Sequence, residues 1–394
     1  MRTRDVLLVA ASLLALCGAA GCTSDDCDQA RPVGLATFNL GLAAGDVDYV
    51  RERVQPVADA LAAADLDVLC VQEVWDSDDW LTLVEAAGDA LPNHLRTDPL
   101  ADCASGCTAA DTDPVRQCAD PYCAGQTGEL YLTCAYDNCP DEVNQLGAVN
   151  SACLSCLLSE AGDDPDATPD ELVEHCSGAS GQGDNAYLYD CAYDTGLLTR
   201  GTILAEDSLP LDSFMVASAV EYARIDTGSG ELDVFCAHLQ SEMGFEYGGE
   251  HESYEEEQYH QISQLLGFIS ARSDGSRPVV LMGDLNTGPT IPADGLVGEW
   301  PSHYRRLLDA GFSNPYQEQG NTRCTLCPES SFRSDDSDPR LIDHILVQGA
   351  RSDLAVTRFM NETITIEPSG GDPVETHYSD HFGLKATLGP WCVE

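Results

Sequence analysis

Lysine is almost absent from this 394-residue chain. Lys385 is the sole lysine, and 19 basic residues face 67 acidic ones for a formal net charge of −48. That balance repels phosphate backbones unless a cation or a local basic patch intervenes, which disfavours a nucleic-acid-binding scaffold. An enzyme that bridges to phosphate through a bound metal ion is still permitted. Long apolar runs are also missing. No apolar stretch of about 18 residues occurs, which excludes a polytopic membrane protein. Hydrophobic residues nevertheless make up 43% of the chain, so global disorder is excluded and a sizeable core with room for an insertion is expected.

The opening segment has the layout of a secretory signal peptide. Arg2 and Arg4 precede an apolar run from Val6 to Ala20 that is too short to span a bilayer comfortably. Ala19-Ala20-Gly21 directly before Cys22 resembles the lipobox of bacterial lipoproteins, in which Cys22 becomes the lipidated first residue. Ala19 stands where that motif usually has leucine, and ordinary cleavage with Cys22 as a disulfide partner is the alternative. Residues 1–21 are expected to be a signal peptide and 22–30 a polar tether. The protein is then exported, either lipid-anchored at a bacterial cell envelope, with the membrane reached through Cys22, or secreted.

Cysteine usage agrees with export. Of 18 cysteines, sixteen remain beyond Cys17 and Cys22, and an even number in an oxidising compartment reads as a disulfide framework. Cys153/Cys156 and Cys324/Cys327 have the C-x-x-C spacing of zinc or redox sites, but among so many cysteines disulfides are the expected use. Cys70 and Cys236 lie in apolar strand-like runs, as buried thiols or a core bridge.

Strands are expected at Val33–Asn39, Val68–Val71, Gly196–Leu204, Val279–Met282, Ile342–Val347, Leu354–Thr357 and Leu384–Leu388. Val220–Ile225 and Leu232–Leu239 form a hairpin around Thr227-Gly228-Ser229-Gly230. Val47, Val50, Val54, Val57 and Leu61 have helical spacing around Pro56, as do Tyr259, Ile262, Leu265, Leu266 and Ile269 behind the acidic tract Glu250–Glu257. Those glutamates suit a helix N-terminus and need no chemical role. Between Ala101 and Asp194 the chain holds 18 acidic residues and one basic residue, Arg116. Residues 98–185 read as an acidic insertion stapled by disulfides, its apolar residues too scattered for a conventional core. Its acidity is compatible with calcium, though a solvated surface accounts for it without an ion.

Polar residues cluster at the ends of the apolar strands: Asn39, Gln72-Glu73, His238, Asp284-Leu285-Asn286 and Ser379-Asp380-His381, with Asp343-His344 inside a strand. Strand ends let side chains from distant segments meet at one edge of a core. Hard oxygen donors such as Glu73 and Asn39 suit magnesium, which offsets phosphate charge. Two histidines, each steered by a carboxylate, can exchange protons with water and a leaving group near neutral pH.

This ordered set resembles the endonuclease/exonuclease/phosphatase superfamily, which includes pancreatic-type deoxyribonucleases, abasic-site endonucleases, inositol polyphosphate 5-phosphatases and neutral sphingomyelinases. The resemblance covers Val33 to Leu388 apart from the insertion, which makes 31–97 and 186–394 the expected family domain. It implies an α/β four-layer sandwich of two mixed, mainly antiparallel β-sheets flanked by helices, interrupted by the cysteine-rich insertion. It further implies a magnesium ion, with manganese as a substitute, held by Glu73 with Asn39 and Asp380 beside it. His238 contacts phosphate and assists the leaving group, Asp284 orients or deprotonates the attacking water, Asn286 helps bind phosphate, and Asp343 steers His381. Either Asp284 or the His381–Asp343 pair is the base. His344 is expected to point to the opposite side of its strand.

Glu73-Val74-Trp75-Asp76, His238-Leu239-Gln240-Ser241-Glu242 and Ser379-Asp380-His381-Phe382-Gly383-Leu384 look closest to the neutral sphingomyelinase branch. A lipid head group is therefore favoured over DNA as the phosphoester partner, and nothing points to a protein partner. A secreted non-specific nuclease would need a basic groove, with Arg200, Arg272, Arg305, Arg306 and Arg323 as candidates. A catalytically idle surface binding module is the reading from another class. The insertion is expected to lid or border the active-site face.

Overall fold

A computed structural model describes residues 31–43, 47–98, 107–163, 166–177, 192–214, 216–243, 247–349, 354–368 and 372–389. The expected signal peptide, tether and Cys22 lie outside these residues, as do Cys27, Cys103, Cys191 and Cys392. Among the described residues no helix is long and apolar enough to cross a membrane.

In chain order the strands are β1 (Val33–Leu42), β2 (Val68–Val74), β3 (Asn93–Leu95), β4 (Gly196–Thr199), β5 (Thr202–Pro210), β6 (Ala219–Asp226) and β7 (Glu231–His238). They continue with β8 (Val279–Asp284), β9 (Asp343–Gln348), β10 (Ala355–Phe359), β11 (Thr363–Ile366), β12 (Val374–His377) and β13 (Gly383–Leu388). One sheet has the order β10-β13-β1-β2-β4-β3, the other β5-β6-β7-β8-β9, and β11 pairs with β12 alone. Each large sheet contains one parallel pair, β1 with β2 and β7 with β8, and is otherwise antiparallel. This is the expected pair of mixed, mainly antiparallel sheets.

Alternation along each strand assigns the layers. Leu35, Val68, Cys70 and Leu197 of the first sheet face Val234, Cys236, Val280, Met282, Ile345 and Val347 of the second in one buried cluster. The opposite face of the first sheet, with Phe38, Leu40, Leu69 and Val71, packs on α1 (Val50–Ala63) and α2 (Ser77–Ala87) through Val54, Val57, Leu61, Trp80 and Leu83. Behind the second sheet lie α8 (Tyr254–Arg272) and α9 (Pro301–Asp309), which bury Ile262, Leu265, Phe268 and Leu307 against Phe235 and Leu281. The result is the four-layer sandwich. Cys70 and Cys236 are joined as a core bridge, Cα to Cα 5.5 Å, tying β2 of one sheet to β7 of the other.

Three expectations need correction. The run Gly196–Leu204 is two strands in different sheets, broken at Arg200–Gly201 where the Arg200 N–H and the Thr199 hydroxyl both donate to the Asp67 carbonyl. The acidic start of α8 does more than complement a helix end. Ser253 caps it by accepting from the Glu256 N–H, while Glu257 turns inward and accepts from the Tyr247 hydroxyl (2.9 Å) and the Phe214 N–H (3.2 Å).

The insertion also has a core of its own. It forms five helices: α3 (Ala109–Ala119), α4 (Gly128–Asn138), α5 (Pro140–Val149), α6 (Ser151–Asp163) and α7 (Pro169–Ser177). Bridges Cys107–Cys153, Cys118–Cys139, Cys123–Cys134 and Cys156–Cys176 staple them. Val115, Tyr131, Ala135, Leu146, Leu154, Leu157 and Leu172 pack with those cysteines in one cluster. In α3 and α7 the helical period is complete only when cysteine is counted as an apolar position, since half-cystines occupy core sites beside Ala, Val and Leu.

Candidate active site

Inward-facing strand residues end in polar groups at one edge of the sandwich. Continuing the inward alternation of β1 brings Thr37 and then Asn39, that of β7 brings His238, and that of β8 brings Asp284. On β9 the inward residue at the same edge is Asp343. Register completes the row: His238 lies beside Asp284, and Asp284 beside Asp343. His344, on the opposite face, stacks on Tyr304 and is bonded to the Thr287 carbonyl (2.8 Å) and the Asn314 amide (3.2 Å). Burial drops its pKa to about 4, so it is a neutral core residue.

Asn39 ties the two sheets together. Its Nδ2 donates to Glu73 Oε1 (2.8 Å) and Asp284 Oδ2 (3.0 Å), while its Oδ1 accepts from the Gly41 N–H (2.9 Å). Gly41 has φ +56°, and a Cβ there would lie 2.6 Å from Asp380 Oδ1, so only glycine lets the β1 end approach Asp380. Glu73 is likewise left-handed at φ 56°. Asp284 Oδ1 accepts from the Asn286 N–H (2.9 Å), and the Asn286 amide donates to the Leu239 carbonyl (2.8 Å) with His238 Nε2 at 3.1 Å.

The two histidines are built alike. His381 Nδ1 lies 2.9 Å from Asp343 Oδ2 and 3.7 Å from Asp284 Oδ2. His238 Nδ1 bonds to Asp194, and its Nε2 lies 3.8 Å from Asp284 Oδ2. Burial opposes the charge on both rings, but the surrounding carboxylates outweigh it. His238 is lifted to about 10, chiefly by Asp194, and His381 well above its ordinary value by Asp343, Asp380 and Asp284. The carboxylates around both rings favour the charged imidazolium, and each ring has Nδ1 anchored by its own carboxylate.

Glu73 is pushed up to about 8, first by burial and then by Asp380. Its carboxylate, that of Asp284 and a His381 ring nitrogen lie within 4.8 Å of one another. Among the described residues this is the one metal-type grouping without half-cystines. The other two contain bridged pairs, Cys118–Cys139 and Cys324–Cys327, so the C-x-x-C at Cys324 is a disulfide and calcium gains no support in the insertion. Asp380 lies outside the trio, its Oδ2 3.9 Å from His381 Nε2. The expected metal residues thus divide into Glu73 within the trio, Asn39 as the amide that ties it together, and Asp380 as a nearby charge.

Sequence reasoning missed three residues here. Asp194, the carboxylate behind His238, also accepts from the Glu73 N–H (3.0 Å), but in sequence it is one more carboxylate at the end of the acidic stretch. Arg53 is buried and donates to the Leu40 (2.9 Å), Gly41 and Tyr378 (2.7 Å) carbonyls, clamping the β1 end to the segment that carries Asp380. Arg333 lines the cavity, with its Nε buried and without a partner. One cavity of about 530 Å³ reaches Glu73, His238, Asp284, Asn286, Asp380 and His381 together with Arg333.

Comparison with known proteins shows the family and the fold. Residues 36–381 match the model of the Endonuclease/Exonuclease/phosphatase family, and the chain belongs to that family. Its fold is similar to that of sphingomyelinase C from Streptomyces griseocarneus, at 16% identity and TM-score 0.52 over 91% of this chain and 99% of that one. It is also similar to a variant of beta toxin from Staphylococcus aureus with bound magnesium ions, at 12% identity and TM-score 0.52 over 91% and 99%. TDP2 from Caenorhabditis elegans follows at 14% identity and TM-score 0.50, over 93% and 77%. No curated protein matches the sequence.

Proposed function

We propose that this protein is an exported, metal-dependent phosphodiesterase acting on a lipid phosphodiester of the sphingomyelin type. The observation that carries the reading is the convergence of two carboxylate-anchored histidines on Asp284, beside Glu73, in one cavity. Export rests on six disulfides among the described residues, which an oxidising compartment would maintain.

The donor set fits a hard cation. Glu73 and Asp284 are oxygen donors crowded with Asp380 at the price of a Glu73 pKa raised to about 8, which an adjacent cation would relieve. Glu73 would hold the ion, magnesium by preference and manganese as a substitute, with Asp284 in the same grouping. When bound, it neutralises charge on the phosphate oxygens.

The chain's own residues supply the remaining chemistry. Asp284 orients water and takes its proton as the new O–P bond forms. Protonated His238 and His381 face the charge that builds on the phosphate, and His238 gives its proton to the leaving oxygen as the old P–O bond breaks. Asn286 and Arg333 hold phosphate oxygens. A nuclease is less well supported. Arg200, Arg272 and Arg323 are paired with Asp65, Asp207 and Glu329, Arg306 lies over Tyr259, and neither these nor Arg305 lines the cavity.

The test is hydrolysis by the soluble chain from Thr23 onward, on sphingomyelin vesicles and plasmid DNA, with magnesium and with EDTA. Phosphocholine release that needs the metal supports the proposal. DNA nicking with the same dependence moves the substrate to nucleic acid and keeps the chemistry.

A further inference from the structure

The catalytic cavity does not stop at the sandwich. It continues between the helices of the insertion, where Val115, Ala135, Leu146, Leu154, Leu157 and Ala161 line it from α3, α4, α5 and α6. These residues belong to the insertion's own core. Protein interiors pack to crystal-like density, with few voids larger than a water molecule. A hollow apolar core is unusual, and a cavity lined by aliphatic side chains stays dry and takes apolar ligands.

The insertion is seated on the active-site face in a way that keeps the two halves of the cavity continuous. Leu158 of α6 packs on the cluster of Ala43, Val47, Trp75, Val216 and Tyr254. Close by, Gly248 abuts the end of α5, where a Cβ would lie 2.7 Å from the Ala148 carbonyl oxygen. One end of the cavity therefore holds carboxylates, imidazoles and Arg333, and the other is mainly aliphatic, with Thr133 and Tyr136 of α4 also in its lining. Its volume, about 530 Å³, falls in the range of sites that bury most of a small-molecule ligand.

We infer that the helical insertion is a hydrocarbon-binding channel: the substrate is a phosphoester bearing a long aliphatic chain, and that chain lies between α3, α4, α5 and α6 while the phosphate meets His238 and His381. The inference rests on the phosphodiesterase reading and narrows it. A nucleic acid or a sugar phosphate has nothing to place in the aliphatic half, whereas a single lipid molecule lifted from a bilayer fills both halves.

The experiment uses the full chain and a series of p-nitrophenyl alkyl phosphates, from butyl to dodecyl, kept monomeric. Each methylene entering the channel multiplies kcat/KM by up to roughly fourfold, so octyl should exceed butyl by at least about tenfold. Leu157→Trp and Leu154→Trp, which fill the channel, should collapse that long-to-short ratio. Binding of dodecylphosphocholine in EDTA, followed by calorimetry, should weaken in the same variants. Turnover across the series with no dependence on chain length in the wild type overturns the channel and leaves the phosphodiesterase reading intact. Binding that Leu157→Trp abolishes, without turnover of any diester, keeps the channel and overturns the catalytic reading. Neither binding nor turnover overturns both. If the tryptophan variants fail to fold, the wild-type chain-length series decides alone.

Discussion

Asp194 stands behind His238 as Asp343 stands behind His381, but it also accepts a hydrogen bond from the Glu73 N–H at 3.0 Å. One buried carboxylate thus fixes both an imidazole and the backbone of the residue proposed to hold the metal. Asp194→Asn keeps the shape but cannot stabilise a charged imidazole, so kcat should fall by about a hundredfold or more with a much smaller change in KM. Steady-state kinetics on a chromogenic diester checks this. A change confined to KM would mean that Asp194 serves binding rather than proton transfer.

Arg53 is a buried cation that meets backbone carbonyls rather than a carboxylate, and burial lowers its pKa to about 10 even with Asp380 and Glu73 nearby. Arg53→Ala removes hydrogen bonds that join the β1 end to Tyr378. It should destabilise the fold by about 3–5 kcal/mol, read from urea denaturation. A loss below about 1 kcal/mol would show that the clamp is dispensable.

Stability should carry a signature of Glu257. Burial, only partly offset by the Tyr247 and Phe214 hydrogen bonds, raises this carboxyl from its ordinary value to about 7. The folded state then binds more protons than the unfolded one between roughly pH 4.5 and 7, so this contribution is present at low pH and lost as pH rises through 7. Glu257→Gln should flatten the fall in melting temperature between pH 5 and 8 relative to the wild type. Parallel curves for the two proteins would contradict this assignment.

The Cys70–Cys236 bridge closes a loop of 166 residues between the two sheets. Replacing both cysteines by serine should cost about 2–4 kcal/mol of unfolding free energy, since the bridge restricts the unfolded chain. Chemical denaturation of the double variant in a non-reducing buffer measures it. An unchanged midpoint would mean that packing between the sheets suffices without the bond.

Much of the sandwich is legible from alternation alone. The inward residues of β1, β7, β8 and β9 can be counted from the apolar pattern, and they lead to Asn39, His238, Asp284 and Asp343 at one edge. The residues missed had weaker signals. Asp194 sits before a short strand inside an acidic stretch, and Arg53 looks like one more polar position on an amphipathic helix. Tertiary contacts, not local pattern, give both their roles. In the insertion, half-cystines fill helix core positions, so an apolar count that sets cysteine aside sees too little to pack. Its meeting with the active site depends on contacts such as that of Leu158 with the cluster of Ala43, Val47, Trp75, Val216 and Tyr254, far apart in sequence.

The central claim is that Glu73, His238, Asp284 and His381 form one metal-dependent phosphoester-hydrolysing centre. The most direct measurement is hydrolysis of bis-p-nitrophenyl phosphate by the wild type, Glu73→Gln and His381→Ala, each with magnesium and after EDTA. The account predicts turnover by the wild type with magnesium, its loss in EDTA and recovery on adding the metal back. Both variants should then fall by at least about a hundredfold while keeping a cooperative unfolding transition. Hydrolysis that persists in EDTA, or that survives in His381→Ala, would contradict it.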